Sequence, residues 1–199
     1  MTGMEPDPGT DTARRILEAA IEMAAVHGIR RLSVSDVAAV AGVSRVTLYK
    51  YFSSKDALVA AAVASEADRF TAEVISATDA CTDLEEVLEV AIATTLRLAR
   101  AHPLLDRIVR TEPETLLPLL TSDGGPTVPA IRSAVEALAA TWLPDLDTVA
   151  RRRAADALTR LLVSYAVAAP DDPPEGGATT LAALLTGGLS HTAAFERHP

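Results

Sequence analysis

Apolar residues recur every three or four positions along most of this chain, the spacing that gathers them on one face of an α-helix. The first stripe is Ile16, Leu17, Ala20, Ile21 and Ala24, opened at Asp11 or Thr12 and stopped at Gly28. The second, Val37, Ala38 and Ala41, follows Ser33 as N-cap, with Asp36 as a weak capping box, and ends at Gly42. Ser44 caps a third helix, Arg45 to Phe52, with Leu48 and Phe52 inward. Ser54 starts a fourth that runs to Thr78 without Gly or Pro, carrying Leu58, Ala61, Ala62, Phe70 and Val74. Thr82 or Asp83 caps a fifth to Ala101, which His102-Pro103 breaks, and Leu104–Arg110 makes a short sixth. Beyond a short segment opened by Pro113 and a loop at Thr121–Pro129, three helices remain. They are Ala130–Leu143, Asp147 or Thr148 to Ala169, and, after the loop APDDPPEGG, Ala178–Phe195. The pattern predicts an all-α protein.

The stretch Leu32–Lys55 is the most specific. Two short helices joined by a three-to-four-residue turn containing Gly form a helix-turn-helix, whose second helix enters the major groove of DNA. With Leu48 and Phe52 inward, Val46 and Lys50 point away, flanked by Thr47, Tyr51 and Tyr49, and Arg45 lies in the first turn. Lys can donate to guanine, Val can touch a thymine methyl, and Thr or Tyr hydroxyls can reach phosphate or bases. Taken singly, Tyr49 and Tyr51 are also compatible with half-buried packing. Lys55 sits in the first turn of the next helix, badly placed for the helix dipole, and a phosphate would relieve that.

Residues 13–60 resemble the DNA-binding domain of the tetracycline-repressor (TetR) family of bacterial transcription regulators. The marks are His27-Gly28, the Leu32–Ala41 segment, Gly42-Val43-Ser44, Thr47-Leu48-Tyr49, Tyr51-Phe52, and Ser54-Lys55 before Leu58. The resemblance implies DNA contacts from Arg45, Val46, Thr47, Tyr49, Lys50, Tyr51 and Lys55, with Ser35 a phosphate contact. It also implies a fourth helix that links the head to a regulatory domain and moves when ligand binds.

Composition narrows the alternatives. The 199 residues are 49% hydrophobic and 4% aromatic, enough for a sizeable core without staples. The single Cys81 excludes an internal disulfide, and no apolar run approaches the ~20 residues that span a bilayer. The acidic start lacks the pattern of a secretory signal, so a cytoplasmic location is expected. Net charge is −9, yet residues 14–55 carry seven basic and three acidic side chains. The basic block is thus the helix-turn-helix, and the acidic remainder repels DNA. Motifs for phosphate or dinucleotide binding, a nucleophile elbow and metal-ligand spacing are missing, so no catalytic residue, cofactor or metal is expected. The rivals are an enzyme and a DNA-binding dimer without small-molecule input.

The expected organisation is an arm at residues 1–10, a three-helix DNA-binding domain at 11–54, and a larger ligand-binding and dimerisation domain at 55–199. The last helix bears Leu181, Leu184, Leu185 and Leu189 and no charge before Glu196, so more than one face must be covered. A second copy supplies that cover through residues 147–169 and 178–195, which resemble the family's four-helix dimer interface. The function expected is a homodimeric repressor of a palindromic operator, released by a largely apolar small molecule. Thr95, His102, Trp142 and Tyr165 are candidate ligand contacts, being polar or aromatic groups on otherwise apolar segments; Trp142 equally suits a core.

Overall fold

The computed structural model describes residues 8–114, 127–168 and 173–195, with side chains at 8, 127 and 189–195 outside the description. Among the described residues there are nine helices and no strand: α1 (Pro8–His27), α2 (Val34–Val40), α3 (Arg45–Tyr51), α4 (Lys55–Thr78), α5 (Leu84–Ala101), α6 (Pro103–Thr111), α7 (Thr127–Trp142), α8 (Thr148–Val167) and α9 (Pro174–Phe195). They belong to two compact units, residues 1–66 with 103–127, and residues 67–102 with 128–199.

In the first unit, Ile16, Ala20 and Ala24 of α1 pack with Val37 and Ala38 of α2, Leu48 of α3, Leu58 of α4, and Leu104 and Ile108 of α6. Helix α6 is strongly amphipathic, and its apolar face completes this core, although it follows the others by some fifty residues in sequence. The compact units therefore cut the chain differently from the functional boundary expected at residue 54/55. In the second unit, Leu88, Ile92 and Leu96 of α5 pack with Leu158 and Leu162 of α8 and with Ala178, Leu181 and Ala182 of α9. Gly177 lets this contact close, since a Cβ there would meet the Tyr165 ring at 3.3 Å.

Local chemistry explains most helix ends. Gly42 has φ +67°, and the amides of Gly42 and Val43 bond the carbonyls of Ala39 (3.1 Å) and Ala38 (2.9 Å), the double closure of a Schellman turn. Asp83 accepts from the Glu86 amide at 2.9 Å, and Asp147 from the amides of Val149 (2.7 Å) and Ala150 (3.1 Å).

Several starts differ from the expectation. Ser33 occupies the N-cap of α2 but its side chain makes no cap bond; its carbonyl alone takes the amides of Asp36 and Val37. Helix α1 begins at Pro8, three residues early, because proline suits a first turn where the amide is unneeded. The same reason carries α9 back to Pro174 and α7 to Thr127, so Thr127–Pro129 and Pro174–Gly177 are helical where loop was expected. The rest of those loops, the segment after Glu114 and residues 1–7 lie outside the described residues.

Candidate nucleic-acid interface

Helix α3 is fixed from both sides. Leu48 is fully buried, and Phe52 packs at its end against the same core. At its start, Ser44 Oγ accepts the Thr47 amide at 3.0 Å and lies 2.9 Å from the Thr47 hydroxyl. That leaves Thr47 half-buried and tied to the cap, while Arg45, Val46, Tyr49, Lys50 and Tyr51 stand in solvent. Val46 is 70% exposed, Tyr49 44% and Tyr51 40%. A helix anchored through one leucine that presents a valine and two tyrosines to water is shaped to be covered by something else. Ser35, in the first turn of α2, is exposed as well. Arg14 is engaged within α1, bridging Asp11 (2.6 Å) and Glu18 (2.7 Å), which raises its pKa.

Lys55 is half-buried, and its Nζ donates to the Arg30 carbonyl at 2.9 Å. An ammonium has three donors, so two remain for a phosphate. Because such a contact reads no base, Lys55→Ala should weaken operator and random duplex alike and reduce the salt slope of log K by about 1. Titration of both duplexes at several salt concentrations checks this, and a loss confined to the operator contradicts it.

The four candidate ligand contacts belong to the second unit and have separate surroundings. The Thr95 hydroxyl donates to the Ala91 carbonyl of its own helix at 2.8 Å. His102 is buried at the end of α5, edge-on to Phe70 with ring centroids 5.4 Å apart. Tyr165 packs on the α5–α8–α9 core, and Trp142 is half-buried at the last residue of α7.

A polar cluster of the first unit, between the α1–α2 turn and the end of α6, escaped the sequence reading. Arg30 pairs with Glu114 at 2.8 Å. The Glu114 carboxyl is held below its ordinary value, first by its own backbone amide and then by Arg30. Glu112 is buried with Oε1 against Gly28, which has φ +88° and no Cβ to exclude it. The signal available was Gly28 itself, read only as a helix stop.

Among the described residues no group of three or more His, Cys, Asp or Glu is arranged to hold a metal, and no helix is long and apolar enough to cross a membrane. Two short helices joined through a Schellman turn, the second held by one buried leucine with its other side in solvent, form a helix-turn-helix, the motif of a class of DNA-binding proteins.

Comparison with known proteins extends this beyond the head. Residues 16–62 match the family described as "Bacterial regulatory proteins, tetR family", and residues 83–187 match "Bacterial Tetracyclin repressor, C-terminal domain". The uncharacterized HTH-type transcriptional regulator Rv1255c of Mycobacterium tuberculosis is 34% identical over 146 residues, covering 71% of this chain and 68% of that protein. Among solved structures, the TetR family repressor AlkX from a Dietzia strain, implicated in biodegradation of n-alkanes, superposes with a TM-score of 0.72. It is 24% identical, and the match covers 95% of this chain and 98% of that one. FadR from Bacillus subtilis, solved in complex with stearoyl-CoA, gives 0.61 at 19% identity over 86% and 96% of the two chains. The chain belongs to the TetR family of bacterial DNA-binding transcriptional regulators, and these are not enzymes.

Proposed function

We propose that this protein is a cytoplasmic repressor that binds a palindromic operator as a homodimer and is released by a largely apolar small molecule. The observation that carries the DNA half is the solvent-facing set Arg45, Val46, Tyr49, Lys50 and Tyr51 on a helix clamped by Leu48 and Ser44. One such head makes few contacts, and two heads about one helical turn apart bind a palindrome together. Residues 11–54 act as the head and 55–199 as the regulatory and dimerisation part. The exposed leucines of α8 and α9, Leu161 and Leu184, support a dimer built on those two helices.

An apolar effector is favoured by the core of the second unit, which is built mainly on Leu, Ile, Val and Ala and offers such a ligand apolar neighbours. It also fits the n-alkane context of the Dietzia repressor and the acyl ligand of FadR. Thr95, His102, Trp142 and Tyr165 remain its proposed polar and aromatic contacts. Binding would shift the heads through a coupling of roughly 1–3 kcal/mol.

Footprinting on the DNA beside the gene tests the first half. Melting-temperature shifts with a panel of alkanes, fatty acids and acyl thioesters test the second, since a ligand of the folded state raises it. Protection of a palindrome, relieved by the compound that stabilises the protein, is the result expected. Absence of protection at low salt refutes the operator, and protection that no compound relieves favours a regulator without small-molecule input. Within the site, Lys50→Ala should cost about 1–3 kcal/mol on the operator and little on random duplex. Equal loss on both refutes base reading by Lys50.

A further inference from the structure

We propose that Arg31 is a further contact to the DNA backbone, a guanidinium that takes a phosphate beside the one assigned to Lys55. The contact rests on the helix-turn-helix reading and adds to it a residue of the α1–α2 turn. Residues 14–55 carry seven Lys and Arg side chains, and the structure sorts them into two sets. Arg14 pairs with Asp11 and Glu18, Arg15 with Asp11 at 3.9 Å, and Arg30 with Glu114. Arg31, Arg45, Lys50 and Lys55 have no carboxylate partner among the described residues. Three of these four are side chains already proposed to meet DNA. Arg31 is the fourth.

An exposed arginine needs no partner in water, so its place must decide. Lys55 Nζ donates to the Arg30 carbonyl at 2.9 Å, and that carbonyl belongs to the peptide bond between Arg30 and Arg31. The ammonium of Lys55 thus lies against the backbone from which the Arg31 side chain starts. Two cations based at one peptide bond, neither paired with a carboxylate, repel each other, and an anion set between them relieves both. One strand of a duplex bears a charge for about every 3.4 Å of helix axis, so cations this close answer the same or adjacent phosphates. Arg31 is exposed, and although it borders the cleft towards the end of α6 it pairs with neither carboxylate there, Glu112 or Glu114. Its planar fork of donors suits two oxygens of one phosphate. Such a contact fixes the head on the duplex and reads no base.

Binding of the full chain to a random-sequence duplex and to the duplex protected in footprinting, each titrated at several salt concentrations, tests the contact. Arg31→Ala should weaken both duplexes severalfold and lower the salt slope of log K by about 1, and the double variant with Lys55→Ala by about 2. Arg31→Lys keeps the charge and should keep most of the slope. Arg30→Ala removes a guanidinium already paired with Glu114 and should leave the slope in place. Methylphosphonate linkages, which neutralise one phosphate at a time, locate the partner. One position should weaken the native protein and have no effect on Arg31→Ala, while a neighbouring position still weakens that variant. Melting followed by circular dichroism should be the same for Arg31→Ala and the native protein, since the side chain is exposed. Native protein that binds neither duplex at low salt overturns the DNA reading and this contact with it. Native binding whose salt slope Arg31→Ala leaves unchanged, or a loss confined to the operator, overturns Arg31 as a phosphate contact alone.

Discussion

Leu48→Ala should remove about 2–5 kcal/mol from the first unit and abolish operator binding, although Leu48 touches no DNA. The side chain is fully buried at the centre of α3 and packs into the one core shared by α1, α2, α3, α4 and α6. Truncation leaves a cavity walled by α1, α2, α4 and α6, and its cost depends on how far those helices can collapse into it. Loss on this scale is a large part of a small domain's stability. The protein offers two probes to follow it. The only tryptophan, Trp142, lies in the second unit, while circular dichroism reports helix throughout. In urea the variant should lose part of its helix signal early, with Trp142 emission unchanged until later. Val46→Ala is the control, for Val46 is 70% exposed on the same helix: stability should stay within about 0.5 kcal/mol while operator affinity falls. A single transition for Leu48→Ala at the native midpoint contradicts this account.

Leu184→Asp should convert the protein to monomers and lower operator affinity by roughly 10²–10⁴, the advantage lost when two linked heads become independent. Leu184 is 68% exposed on α9, while Ala178, Leu181 and Ala182 of the same helix are buried against α5. One stripe of α9 is thus used within the subunit, and a leucine on another is left to water. A carboxylate there is harmless to a lone subunit and severe between two apolar surfaces. Sedimentation, with circular dichroism as the check on folding, gives the result. A variant that sediments as the native protein and binds the operator unchanged removes this helix from the interface.

Much of the fold is legible because it depends on neighbours a few residues apart. Gly42 announces a left-handed turn, Ser44, Ser54, Asp83 and Asp147 announce helix starts, and Leu48 with Phe52 sets the outward face of α3. The signals that misled are local too. Prolines and glycines at 174–177 read as loop, yet Pro174 serves as a first helical residue, Gly177 admits Tyr165, and Thr179 ties the helix to Glu89. Ser33 has the right chemistry for a cap that its hydroxyl does not make. What could not be read is the meeting of distant segments. Nothing near Leu104 or Ile108 says that they finish the core of the DNA-binding unit. Nothing near Glu112, in a stretch read only as apolar, says that a carboxylate will be buried on Gly28.

The bond from Lys55 to the Arg30 carbonyl has a practical side. This sequence contains two lysines, Lys50 and Lys55; the first is exposed, and the second is half-buried with its ammonium already donating. Amine-directed acylation will therefore fall, apart from the chain's terminal amine, chiefly on Lys50. A dye attached that way marks the face proposed to enter the groove, where bound duplex should act as a protecting group.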